Sequence, residues 1–297
     1  MKVTPILFSG PMVCALLREI EKPGTGKTQT RRVLSPDNIR FMRGGINEPI
    51  VKCTPTKEML AEALEGARNM RLIEHVLTWD CPGAGYVMAN LKYAPGDLLW
   101  VRETWCEGPI GRDGVVEDWR EYFYRATDHD VMGIDDGDGF SVLNADGSLK
   151  SPWRPSIHMP RRASRLTLEV TDVRVERLQD ISEEDAIAEG VSRIATVGGA
   201  GWQDYSGGVG FGDPRRSFLS LWDSLNEARG FGWDVNPWVV AVTFKVHRVN
   251  IDALLEKLTK YACEDGVDLS DRRSGEQSDP ALGAAPVQAL GEAGQAP

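Results

Sequence analysis

The sequence has little of what marks several common protein classes. No apolar run in its 297 residues is long enough to cross a bilayer. The first residues lack the basic-then-apolar build of a secretory signal. The five cysteines, at positions 14, 53, 81, 106 and 263, are odd in number and scattered, with no CxxC or zinc-type spacing. They predict reduced thiols and a cytoplasmic setting. Four histidines are present, and none has a second His or Cys at ligand spacing, so no metal is expected. A net charge of −10 excludes nucleic-acid binding by bulk positive charge. No internal repeat is visible.

Two stretches imitate ligand loops and fail on spacing. Pro23-Gly24-Thr25-Gly26-Lys27-Thr28 reads like a phosphate-cradling loop, but the pattern needs a Gly where Glu21 stands. It also needs a buried strand entering the loop, whereas Met12, Leu16, Leu17 and Ile20 recur there at helical spacing. The Asp- and Gly-rich run Asp135–Gly139 suggests calcium, yet the ligand ladder meets Met132 when started at Asp128 and Phe140 when started at Asp136. A solvated loop is expected instead.

What is present suits a soluble globular chain: 41% hydrophobic and 26% charged residues, enough to bury a sizeable core in one large or two small domains. The charge is uneven. Residues 263–297 hold seven acids against Arg272 and Arg273, half of the net charge, without hydrophobic periodicity. Residues 150–177 run the other way, with seven basic residues facing Glu169, Asp172 and Glu176. A local basic face on an acidic protein suits a small anionic ligand or a short nucleic-acid contact.

Along the chain, Lys2–Phe8 reads as a strand turning at Ser9-Gly10-Pro11 into the Met12–Ile20 helix. Over Lys57–Trp79 a helical rhythm of Met59, Leu60, Leu64, Ala67, Leu72, Ile73 and Val76 predicts one or two helices. Pro95-Gly96-Asp97 turns into a Leu98–Glu103 strand, and Glu121–Ala126 is another. Within Ser164–Leu178, Leu166, Leu168 and Val170 share a face, and Val173 and Val175 resume the alternation after Thr171-Asp172. Ser182 is the N-cap of a helix, with Asp185 in a shortened capping box and Gly190 suited to its end. The Gly-rich insert 197–213 has the flexibility to cover a pocket. Pro214–Arg229 predicts a helix burying Phe218, Leu221, Trp222 and Leu225. Pro237–Val249 is a closing strand, and Ile251–Ala262 a terminal helix. Strands separated by helical connections predict the α+β class, as a small, mostly antiparallel β-barrel decorated by helices. The domain is expected over residues 1–249, with insertions at about 40–95, 128–152 and 195–213, then a helix over 250–263 and a disordered acidic tail over 264–297.

Four ordered stretches carry the most chemistry. They are Lys27-Thr28-Gln29-Thr30-Arg31-Arg32, the run Gly96-Asp97-Leu98-Leu99-Trp100-Val101-Arg102-Glu103-Thr104, Trp153–Arg161 (Trp-Arg-Pro-Ser-Ile-His-Met-Pro-Arg), and Ile181-Ser182-Glu183-Glu184-Asp185-Ala186. Together they resemble the ASCH domain, above all its long forms in bacteriophages and prophages, over about Val3 to Arg248. The resemblance implies a PUA-like β-barrel, a link to RNA and modified nucleosides, and, for a phage-encoded chain, the bacterial host cytoplasm. A short bacterial branch of the family removes the acetyl group of N(4)-acetylcytidine with a Lys, a Thr and a Glu. Matched motif by motif, these fall on Lys27, Thr30 and Glu189. The present chain departs from that branch in its length, in Lys22–Gly26 before the motif, and in its Trp- and Arg-bearing stretches.

The residue types fit amide hydrolysis, which needs a nucleophile, a proton acceptor and donor, and a partner for the oxyanion. Thr30 would attack, Lys27 would act as base once desolvation lowers its pKa, and Glu189 would hold the leaving amine or pass its proton. An ordinary Lys27–Glu189 ion pair pinning a helix to a loop is the competing reading. Arg31, Arg32, Arg102, Arg125, Arg154 and Arg161 are candidate anion contacts. Trp100, Tyr124 and Trp153 are candidate stacking platforms, and Glu103 and His158 candidate polar contacts, with core packing and salt bridges as the competing fates. The expected partner is a modified nucleoside or nucleotide, or a short nucleic acid, with no membrane, cofactor or metal. Two functions stand side by side: an amidohydrolase acting on N(4)-acylcytidine-like substrates, and a non-catalytic PUA-like reader of RNA or modified nucleic acid.

Overall fold

The computed structural model describes residues 1–34, 39–43, 51–53, 68–73, 75–81, 85–112, 115–128, 142–143, 149–150, 153–196 and 199–264. Strand β1 (Val3–Leu7) leads into helix α1 (Gly10–Glu21), and β2 (Gln29–Val33) follows the Lys27-Thr28 pair. Strands β3 (Ile39–Arg43), β4 (Val51–Cys53), β5 (Arg68–Ile73), β6 (Val76–Cys81) and β7 (Gly85–Asn90) come next. Then follow β8 (Leu98–Arg102), β9 (Trp105–Arg112), β10 (Val115–Tyr124), the two-residue strands β11 (Val142–Leu143) and β12 (Leu149–Lys150), and β13 (Thr167–Arg177). Helix α2 (Glu183–Ala188), β14 (Arg193–Thr196), β15 (Gly199–Trp202), helix α3 (Pro214–Asn226), β16 (Trp238–His247) and helix α4 (Ile251–Glu264) complete the order. The class is α+β. Among the described residues no helix is long and apolar enough to cross a membrane, and no disulfide joins Cys14 or Cys106.

The main sheet has the order β1-β8-β13-β16-β2. β1 lies parallel to β8, and every other neighbour pair is antiparallel. The predicted face is buried at Leu166 just before β13 and at Leu168 and Val170 within it, although Thr167 between them is buried too; the register slips between Val170 and Asp172, and Val173 turns inward again. In β16 four consecutive residues, Val239 to Val242, are buried, because this strand is covered on both faces. Helix α1 packs against it, contributing Met12, Val13, Leu16 and Leu17 to the one large core. Gly96, at φ +86°, makes the turn into β8, and Asp97 ties that turn to β1 by accepting from the Lys2 backbone N–H at 2.7 Å.

The strand ladders correct the expected closed barrel. β1 and β2 stand at the two ends of the strand order, and no ladder joins them among the described residues. A side chain spans them instead: Arg32 Nη2 donates to the Leu7 carbonyl at 2.8 Å. Pro5 in β1 has no N–H to offer a neighbouring strand, and a cavity lined by residues of both edges fills the gap.

Three other expectations are corrected. Residues 68–81 form the β5–β6 hairpin of a second antiparallel sheet, β4-β3-β7-β6-β5, rather than a helix; residues 57–67 lie outside the described residues. The Gly-rich insert is tied down rather than loose. β14 and β15 pair, Trp202 bridges to Phe211, and Ser217 Oγ of α3 donates to the Gln203 carbonyl. Leu225 is 52% exposed, unlike Phe218, Leu221 and Trp222 on the same helix. Contacts divide the chain into a unit of Met1–Leu254 and a unit of Leu255–Pro297. In the second unit the described residues are the continuation of α4, and the expected acidic tail from residue 265 onward lies outside them.

Candidate functional site

The backbone just before β2 is held unusually close to α1. A Cβ on Gly26 would fall 2.2 Å from the Glu19 nitrogen and 2.3 Å from the Ala15 oxygen, so only glycine fits. The next residue, Lys27, donates its N–H to the same Ala15 carbonyl at 2.9 Å. The turn that imitates a phosphate loop already holds an anion of the protein itself. The Glu19 carboxylate accepts from the Gly24 N–H at 2.9 and 3.0 Å and from the Gly26 N–H at 2.9 Å. On the other side, Thr28 N–H donates to the Ala188 carbonyl at the end of α2. Gly190 follows there with φ +88°, and its missing Cβ would lie 2.7 Å from that of Lys27. Two glycines therefore clamp Lys27 between α1 and α2.

This placement meets the geometric demand set by strand alternation. If Lys27 and Thr30 lay in one regular strand, they would face opposite ways. Pairing begins only at Gln29, so Lys27 is free of the alternation. Lys27 and Thr30 line one cavity of about 360 Å³ together with Phe8, Met12, Arg31, Arg32, Trp222, Asn226 and Arg229. Its size falls within the usual range of small-ligand sites, about 300–1,000 Å³. The Thr30 hydroxyl has no hydrogen-bond partner among the described residues.

Behind the cavity runs a buried charge network. Lys27 Nζ donates to the Glu189 carbonyl at 2.7 Å and to Glu189 Oε2 at 2.8 Å, with the two residues 2% and 3% exposed. Arg31 Nη1 donates to Glu189 Oε1 at 3.2 Å and also to Gln29 Oε1. Its other nitrogens reach Glu176 at 3.0 and 2.5 Å and Asp185 at 2.8 Å. Arg174 reaches the same Asp185 oxygen at 2.9 Å. Both oxygens of Glu189 are thus committed to Lys27 and Arg31. Burial pushes the Lys27 amine below its ordinary value of 10.5; Glu189 opposes this, and the charges of Arg32 and Arg31 add to it. Burial acts to raise Asp185, but its bonds and charge contacts with Arg174 and Arg31 hold it below the usual carboxylate value.

The remaining candidates do not line this cavity. Trp100 is buried, with the Arg102 guanidinium 4.6 Å from its ring centre. Glu103 is held at both oxygens by Arg165, each at 2.8 Å, while burial pushes its carboxyl up against that pull. Arg165 also lies 4.0 Å from the ring centre of Tyr124. Tyr124 donates its hydroxyl to the Ala163 carbonyl at 2.8 Å, and burial pushes its pKa up to about 12. Arg154 is exposed and bridges to Trp105 through its backbone, with its guanidinium 5.1 Å from that ring. Trp153 is half-buried, and Arg125 and His158 are exposed. Arg161 pairs with Asp252 at 2.6 Å. Several arginines of the basic 150–177 stretch are therefore already matched by acids.

Sequence reasoning missed the contributions of Phe8, Trp222, Asn226 and Arg229. Asn226, the last residue of α3, and Arg229, three residues further on in the 3-10 turn that follows, are joined by a 3.1 Å hydrogen bond and are the one pair whose helical spacing is visible in the sequence. No protein-family model, no curated protein and no solved structure matches the chain.

Proposed function

We propose that the protein is an amidohydrolase acting on an N(4)-acylated cytidine, a member of the ASCH family with a PUA-like barrel whose edges stay unpaired. The observation that carries this reading is that Lys27 and Thr30 line one cavity, with Lys27 buried against Glu189. A neutral lysine amine has two N–H bonds and one lone pair. The two acceptors at Lys27 Nζ, the Glu189 carbonyl and carboxylate, match the two N–H bonds and leave the lone pair for a proton. Burial acts in the same direction, lowering the amine's pKa against the pull of Glu189.

The reaction then runs in two halves. Lys27 takes the Thr30 hydroxyl proton as Oγ adds to the acyl carbon, and the Arg32 charge in the same wall offsets the oxyanion. Collapse breaks the acyl C–N bond, and Lys27 returns its proton to the departing cytosine amine. Water, deprotonated by the same lysine, cleaves the acyl-threonine ester, which releases the acid and restores Thr30. Glu189 acts on Lys27 by fixing its position rather than by touching substrate, since both its oxygens are occupied.

Incubation with N(4)-acetylcytidine tests this. Conversion to cytidine is expected, with at least a ~100-fold loss in Lys27→Ala and in Thr30→Ala. Binding without turnover would favour a non-catalytic reader of modified nucleosides, and turnover that survives both substitutions would end the proposal.

A further inference from the structure

The cavity at the unpaired sheet edges, about 410 Å³, adjoins the Lys27–Thr30 cavity. Leu7, Arg32 and Val33 line both, and the Arg32–Leu7 hydrogen bond forms part of the wall between them. Three cations line the edge cavity, Arg32, Lys92 and Arg102, and no carboxylate does so among the described residues. None of the three has an ion-pair partner among the described residues. Four other arginines, Arg31, Arg161, Arg165 and Arg174, each meet a carboxylate, while Arg18 and Arg215 bond neutral oxygens. Arg102 is the extreme case. Its Nε is buried without a hydrogen-bond partner, and its guanidinium is held over the Trp100 ring. Burying a donor of a charged group unpaired is costly, so such a group fits a site that an anion completes. Apart from Asn90, the rest of the lining, including Ile6, Leu34, Leu91 and Tyr93, is largely apolar and suits a sugar face rather than a hydrated ion.

We propose that this cavity is a phosphate subsite, and that the ligand is a cytidine nucleotide rather than the free nucleoside. The base lies in the Lys27–Thr30 cavity, the sugar passes Arg32, and the phosphate sits with Arg102 and Lys92. The position of the base rests on the amidohydrolase reading; the anion site rests on its own unmatched cations.

Calorimetry on the full-length protein at low ionic strength tests it with cytidine 5′-monophosphate, cytidine and inorganic phosphate. The monophosphate is expected to bind at least about tenfold more tightly than cytidine, the effect of one charge-assisted contact in a partly buried site. Arg102→Gln, which removes the charge and keeps a polar side chain, and Lys92→Gln, at an exposed residue, should each reduce that preference severalfold. The double variant should abolish it. Equal affinities for nucleotide and nucleoside, the absence of binding by either, or a preference that survives the double variant would overturn the proposal. Inorganic phosphate binding as tightly as the monophosphate would assign the cavity to the free anion and overturn the nucleotide. A phosphate preference without turnover of acylated cytidine would remove the hydrolase and keep the subsite; turnover without the preference would do the reverse.

Discussion

Replacing Glu189 by Gln preserves shape and removes one charge, and the structure indicates how the cost arises. The carboxylate accepts from two buried basic side chains, Lys27 at Oε2 and Arg31 at Oε1. A glutamine amide has one oxygen and one NH₂, so one of these two N–H groups must face a donor. Breaking a buried ion pair costs about 3–5 kcal/mol. The lower end, about 3 kcal/mol, applies because Lys27 keeps the residue's backbone carbonyl and Arg31 keeps Glu176 and Asp185. For a domain of this size that corresponds to a fall of about 6–12 °C in Tm. Thermal unfolding at pH 7, followed by circular dichroism, measures it. A change within about one degree would show that Glu189 does not hold Lys27 and Arg31 in solution and would refute the network.

Three further outcomes follow from the same geometry. Thr30→Val should lower turnover at least ~100-fold yet shift Tm by less than about 2 °C, because the lost hydroxyl has no hydrogen-bond partner among the described residues; a larger shift would place Thr30 in the scaffold. Burial depresses Lys27, so between its lowered pKa and the ordinary 10.5 the unfolded chain holds a proton that the folded chain has given up. Stability of the wild type relative to Lys27→Met should therefore rise with pH through that window, and a difference that falls would contradict the buried amine. Gly26→Ala would drive a Cβ into the backbone of α1 and should cost about 3 kcal/mol, seen as a Tm loss of about 6–12 °C; an unchanged Tm would mean that α1 does not pack there.

The local chemistry of the sequence predicted much of the frame. Apolar spacing placed α1, the bulge in β13 falls where the alternation of Leu166, Leu168 and Val170 breaks, and Ser182 accepts from the Asp185 N–H as its capping pattern required. The β5–β6 hairpin was misread for a definite reason. Its turn sets Ile73 opposite Val76, and a three-residue interval between paired apolar residues has the same spacing as one face of a helix. The open sheet edge was not legible, since strand closure depends on contacts between β1 and β2 that no local pattern encodes. The charge network was hidden for a similar reason. Arg31 meets Glu176 and Glu189 across separations of 145 and 158 residues, and only the folding of β2 beside α2 brings them together. Lys27 and Thr30 were nameable from the motif, but their convergence depends on Gly26 and Gly190, whose role appears only as a close backbone approach.

The central claim is that Thr30 itself carries the acyl group. Rapid acid quench of the wild-type protein with N(4)-acetylcytidine, followed by peptide mass spectrometry, tests it directly. One added acetyl group is expected on the peptide containing Thr30, absent in Thr30→Val. Turnover of the nucleoside with no acyl group on Thr30, and with Thr30→Val still active, would contradict it.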